Sequence, residues 1–167
     1  MWWNDVVVTF DGDGLYWHPD HIAVHERTIG AVRALGDLAP ALYFVSMPQG
    51  RMRRALEAAQ AASEGDPEGS ARQVLDVDVD AFGAEAPPAA LALEVGAFAA
   101  RKLQALRRHR SQLAGDPLDR LPEEDASRVL GLELYRRADV GSQAETFLDR
   151  LGSPAETIWV DGEDLEG

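Results

Sequence analysis

DVVVTFDGDGLYWHPDH, running from Asp5 to His21, is the stretch whose reading decides the fold. Its first six residues, Asp5–Phe10, form a β-branched apolar run closed by a turn, which is the pattern of a buried strand. Asp11–Gly14 is a turn by composition. Pro19 and Asp20 then suit the first turn of a helix. Proline gives up only an N–H that has no partner there, and the Asp20 carboxylate favours the positive end of the helix dipole. Ile22, Ile29, Val32 and Leu35 mark the apolar stripe of this helix, His25 falls on the same stripe, and Gly36 ends it. A second apolar run, Ala41–Ser46, reads as another strand. Strand, helix and strand in that order predict a parallel α/β layout, with the turn at the carboxyl end of the first strand, where sites in such sheets usually form.

Working outward, residues 51–62 favour helix and Ala62–Ala71 reads as a loop. Arg72–Asp80 alternates apolar and acidic residues, as a half-exposed strand would. Gly83–Ala90 breaks the chain again. A long helix is expected from Leu91 to Leu113, with Val95, Ala99, Leu103, Leu106 and Leu113 at helical spacing. Another is expected from Pro122 to Ala138, which has a proline and acids at its start and arginines at its end. Glu156–Gly162 suits a short last strand. The 167 residues show no repeat and no interdomain linker, and they suit a single domain, 1–167.

The composition, 46% hydrophobic and 27% charged, is that of a globular domain. A net charge of −13 repels nucleic-acid phosphates and anionic membranes, so neither is an expected partner. No apolar run approaches the roughly 18–20 residues of a membrane span, and no leader-like pattern opens the sequence. The absence of cysteine excludes disulfides, thiolate metal sites and cysteine nucleophiles, and it fits a cytoplasmic setting. One stretch runs against the acidic trend. RKLQALRRHR, residues 101–110, holds five of the sixteen basic residues and reads either as a solvated helix face or as a grip for an anion.

Only four histidines exist, and His18, His21 and His25 lie within eight residues. Imidazole is a common ligand for borderline metals such as zinc. His18 and His21 flank Pro19-Asp20 and can face one pocket, with Asp20 orienting an imidazole. A catalytic zinc usually needs three protein ligands, so this pair is short of a site. His21 and His25 are four apart, but Ile22 stands where a two-histidine protease clip has glutamate, so His25 is expected to be structural. His109, between Leu106 and Leu113, is expected to be a hydrogen-bonded core histidine. Asp11 and Asp13 resemble the start of a calcium loop that lacks its later ligands.

The stretch Val6–Val32 resembles the second motif of the PIG-L/LmbE deacetylases, zinc enzymes acting on N-acetylglucosaminyl compounds. Ala100–Leu113 is similar to a late helix of that family and Glu145–Pro154 to its closing segment, in the family's order. The resemblance implies a partial Rossmann-like layered sheet lacking the family's first strands, and hydrolysis of the N-acetyl amide of a small GlcNAc-type conjugate. It implies His21 as a zinc ligand and His18 as the group that stabilises the tetrahedral intermediate and protonates the leaving amine. Asp20 would tune His18, and Tyr16 would reach toward the oxyanion or substrate. Trp17 stands where relatives have glycine; it would narrow the pocket or stack on a sugar, with Asp11 of the polar turn also on the substrate.

The family's first motif, Ala-His-Pro-Asp-Asp-Glu, supplies two zinc ligands and the base and has no counterpart here, since His18 is the only His-Pro. The expectation is therefore a C-terminal portion of such an enzyme, weakly active or inactive alone, with zinc weak or absent in this chain alone. The strand Val6–Phe10 is expected to present an edge open to self-association or a partner chain. The alternatives are a non-catalytic sugar-binding or assembly module, and a metal shared across a homodimer.

Overall fold

The computed structural model of the protein describes residues 6–62, 73–74, 77–83, 88–110 and 117–155. Its frame, among the described residues, is a mixed five-stranded sheet in the order Val6–Phe10, Ala41–Val45, Leu132–Gly141, Leu91–Glu94 and Ser153–Pro154, so the α/β class expected from the sequence holds. Strand β1 (Val6–Phe10) runs parallel to β2 (Ala41–Val45), with Val6 opposite Ala41 and Phe10 opposite Val45. The crossover between them is helix α2 (Pro19–Leu35), as the strand–helix–strand reading required. Antiparallel to β2 lies β6 (Leu132–Gly141), followed by β5 (Leu91–Glu94) and the two-residue β7 (Ser153–Pro154). Strand β1 is an edge among the described residues, and Val8 on it is 45% exposed.

Each face of the sheet has its own core. On one, Val32 of α2 packs with Leu42, Phe44 and Ala138, because residues two apart on a strand share a face. On the other, Tyr43 and Leu148 pack together, with Val6, Leu91 and Tyr135 against them. A separate helical layer gathers around Leu56, Leu103, Leu121 and Val129. It is built from α3 (Arg51–Ala62), α4 (Ala99–Leu106), α5 (Pro117–Arg120) and α6 (Ala126–Leu130), together with a single helical turn at Val79–Ala81.

Three expected elements differ. The helix from Leu91 to Leu113 is instead β5, a short turn at Gly96–Phe98, and α4, which ends at Leu106. Leu91–Glu94 pairs with β6 and buries Ala92, so sheet formation overrides a periodicity that four residues are too few to fix. The helix from Pro122 to Ala138 is real only as a turn at Glu123–Asp125 and α6; it stops at Gly131. A Cβ on Gly131 would stand 2.1 Å from the Ser127 carbonyl oxygen, so the chain turns there on a close backbone approach and becomes β6. Arg136 and Arg137 are thus strand residues, not the cationic end of a helix. Within Arg72–Asp80, the described pieces are β3 (Gln73–Val74) and β4 (Val77–Asp78), an antiparallel pair rather than one strand. The strand expected at Glu156–Gly162 lies outside the described residues.

Candidate active site

The site grows from the end of β1. After Phe10 the chain reverses, with the Gly14 N–H donating to the Asp11 carbonyl at 2.9 Å and the Trp17 N–H to the Asp13 carbonyl at 2.7 Å. The Asp13 carboxylate caps this turn by accepting from the Leu15 N–H at 3.0 Å. The short segment α1 (Gly14–Trp17) that follows is bent: Leu15 has φ 68° and Trp17 φ 65°. Two non-glycine residues with positive φ, two positions apart, mark a turn whose shape is imposed from outside, as is common at functional sites. Gly14, at φ 55°, has no such freedom to become larger, because a Cβ would meet the Ile22 side chain at 3.0 Å and the His21 Cβ at 3.1 Å.

Helix α2 begins on the HPDH element. His18 is its N-cap, and its Nδ1 accepts the Asp20 N–H at 3.2 Å, with Pro19 in the first turn. Since Nδ1 is the acceptor, the neutral ring carries its proton on Nε2 and presents a donor. His21 has the opposite arrangement. Its Nδ1 lies 3.0 Å from the Gly14 carbonyl oxygen, which can only accept, so Nδ1 holds the proton and Nε2 keeps a free lone pair. A backbone carbonyl that fixes a ring in this tautomer is the usual companion of a metal-binding histidine.

The rings converge. His18 and His21 have centroids 4.7 Å apart, Tyr16 meets both edge-on at 5.7 and 5.3 Å, and Phe10 stacks on His21 at 3.8 Å. Phe82 leans on Tyr16 at 4.7 Å, and the adjacent Gly83 N–H bonds the Leu15 carbonyl at 3.0 Å. Trp17 stands 48% exposed beside this group. Asp20 is exposed and meets His18 through its backbone N–H, not its carboxylate.

Asp11 is buried, and Arg136 grips both of its oxygens at 2.8–3.1 Å while crossing the Phe44 ring at 4.8 Å. His25 is structural in its contacts: its Nδ1–H donates to the Phe10 carbonyl at 2.9 Å and its ring leans on Phe44. His109 is not in the core. It is exposed past the end of α4, with Nδ1 3.3 Å from the Ala105 carbonyl oxygen, because the helix that would have carried it inward ends three residues earlier.

The sequence therefore placed Tyr16, His18 and His21 together, but missed Phe10 and Phe82 as ring partners and Arg136 as the anchor of Asp11. Phe10 was visible as the last residue of the strand. Arg136 was hidden by the reading of β6 as helix. Among the described residues, no three side chains of His, Cys, Asp or Glu gather as a metal site. By that donor count the residues present do not make a complete zinc site.

No family model matches the chain, and no solved structure does. Curated relatives do. The chain is 37% identical over 131 residues to a protein of Acidothermus cellulolyticus named 1D-myo-inositol 2-acetamido-2-deoxy-alpha-D-glucopyranoside deacetylase, covering 78% of this chain and 44% of that protein. A protein of the same name from Geodermatophilus obscurus is 35% identical over 143 residues, covering 78% and 48%. Another from Mycolicibacterium vanbaalenii is 38% identical over 112 residues, covering 67% and 38%. The chain thus spans about half the length, or less, of the curated relatives it matches.

Proposed function

We propose that this chain carries one half of an N-acetyl amide hydrolase of the PIG-L/LmbE type, acting on a small sugar conjugate of the 2-acetamido-2-deoxyglucopyranoside class, and that the active centre is completed by residues beyond those it brings together itself. The observation that carries the reading is the opposed tautomers of His18 and His21 in adjoining rings. One offers a proton and the other a lone pair, which is the division of labour an amide hydrolase needs.

In this reading His21 is one ligand of a zinc ion, through Nε2. Zinc, when bound, polarises an amide carbonyl and lowers the pKa of a water. His18 donates a hydrogen bond from Nε2 to the developing oxyanion, and the leaving amine takes the proton that the general base has removed from the attacking water. Tyr16, edge-on to both rings, limits where the acetyl group can lie and offers its hydroxyl to the same oxygen. Trp17 stacks on the sugar. Asp20 favours the start of α2 and so the placing of His18. Asp11 acts on the substrate indirectly, by holding the end of β1 and the start of the turn through Arg136. The remaining metal ligands and the general base come from residues outside those described, packed beside the open edge of β1.

The test is complementation. Zinc content by mass spectrometry and amine release from an N-acetylglucosaminyl-inositol conjugate are measured for the chain alone and with a polypeptide carrying the rest of a relative. The proposal expects substoichiometric zinc and negligible turnover alone, both restored by the second polypeptide and both lost with His21→Ala. Tight zinc and turnover by the chain alone would refute the division between two parts. Saturable binding of the conjugate with no turnover in either state would favour a sugar-binding module, a reading to which the exposed Trp17 lends support.

A further inference from the structure

Between the sheet and the helical layer lies a cavity of about 240 Å³ that shares no residue with the histidine turn. Most of its wall is apolar, including Met52, Leu118 and Val129, and three charged side chains join it: Arg51, Lys102 and Glu133. Glu133 is fully engaged. It pairs with Lys102 at 2.9 Å and accepts the Tyr135 hydroxyl at 2.5 Å. Burial pushes its carboxyl up, but the hydrogen bonds from Tyr135 and Lys102 and the charges of Lys102 and Arg51 outweigh this and hold it below the usual range, so it stays ionised.

Arg51 is different. Its guanidinium donates to the Leu132 carbonyl at 2.6 Å and makes no ion pair among the described residues. It is half-buried, and burial, with the charge of Arg54 added, pulls it below the usual arginine value against the opposing pull of Glu133. The wall thus holds two cations against one carboxylate, in a chain whose net charge is −13. A cation partly withdrawn from water and short of a counter-charge gains most from an anion that comes with its own apolar body. The basic stretch 101–110 finds a use here too: Lys102 faces this cavity, while Arg101, Arg108 and Arg110 are exposed.

We propose that this cavity binds a small amphipathic carboxylate, with its head on the Arg51 guanidinium, Lys102 as the second cation, and one ring or a short alkyl chain against Met52, Leu118 and Val129. The size fits, since an apolar cavity of about 150 Å³ accepts benzene and the extra room takes a carboxylate. The geometry is that of small-molecule sites in general: an apolar cleft with a few convergent polar groups.

Hexanoate and benzoate, with 1-hexanol and benzyl alcohol as uncharged controls, are titrated into the full chain by calorimetry, with thermal unfolding as a second readout. The expected result is saturable one-to-one binding of at least one acid and a rise in Tm with its concentration. Each alcohol should bind about tenfold more weakly than its acid, and Arg51→Gln should weaken the acid by about tenfold. Ala55→Phe, which fills the cavity, should abolish binding. No saturation by either acid below about 10 mM would overturn the proposal, as would alcohols matching their acids or an Arg51→Gln variant with unchanged affinity. If Ala55→Phe fails to fold, the Arg51→Gln and alcohol results decide alone.

Discussion

Arg136 and Arg137 are neighbours on β6 and so point to opposite faces of the sheet, each toward an aspartate. Arg136 meets Asp11 and little else: the side chains are 24% and 8% exposed, and the pair closes the sheet at the point where the histidine turn begins. Arg137 joins a wider network. It binds Asp149 and the carbonyls of Ser142 and Ala144, and lies over the Tyr43 ring at 5.4 Å. Asp149 in turn accepts from the Tyr43 hydroxyl at 2.7 Å and the Thr146 N–H at 2.7 Å, a capping box that starts α7 (Phe147–Leu151). Loss of one member leaves the network with other contacts. Loss of Arg136 strands the buried Asp11 carboxylate without a counter-charge. The face on which the histidine turn begins is therefore the less redundant one.

The largest effect should come from Arg136→Met. Leaving Asp11 buried and unpaired should cost about 3 kcal/mol in urea unfolding. If Arg137→Met costs as much, the contrast between pair and network collapses. Next, Gly14→Ala forces a side chain into a left-handed residue against Ile22 and should cost about 2 kcal/mol. The same change should weaken the His21 hydrogen bond to the Gly14 carbonyl, visible as mixed tautomers in nitrogen NMR of the ring. Tyr43→Phe removes the hydroxyl shared by Asp149 and Thr146 (2.9 Å) and should cost about 1 kcal/mol.

A smaller effect is pH-dependent. Burial pushes the Asp149 carboxyl up, but the bonds from Tyr43 and Thr146 and the charge of Arg137 outweigh it and hold the group below the ordinary carboxylate range. A depressed folded value means a stabilising contribution that is complete above the unfolded value, about 4, and is lost as pH falls through the folded one. Asp149→Asn should therefore flatten the acid limb of the stability profile below about pH 4 while changing its neutral part by the lost bonds alone. Smallest of all, His109→Ala should leave stability within about 0.5 kcal/mol, as expected for an exposed side chain.

What could be read in advance follows the range of the forces involved. The β1–turn–α2 unit was legible because its signals are local: a β-branched run, a glycine turn, and proline and aspartate at a helix start. The nearness of His18 and His21 followed from the same local geometry, and Tyr16 came with the family resemblance. Strand β6 was not legible as a strand. Leu132, Leu134, Arg136, Ala138 and Val140 alternate faithfully, yet the acids before them and the arginines among them imitate a capped helix. Only pairing with β2 and β5, more than 80 and about 40 residues earlier, selects the extended form.

The sequence by itself determined the α/β class, the parallel strand pair and the histidine turn, because each is signalled by a local pattern: a β-branched apolar run, a glycine turn and a marked helix start. The tertiary structure alone decided which tautomer each histidine takes, which cation holds Asp11, and where an arginine with no ion pair among the described residues stands beside an apolar cavity. Those depend on a carbonyl, a charge or a void supplied from a distant part of the chain, and no local pattern encodes the partner that folding brings.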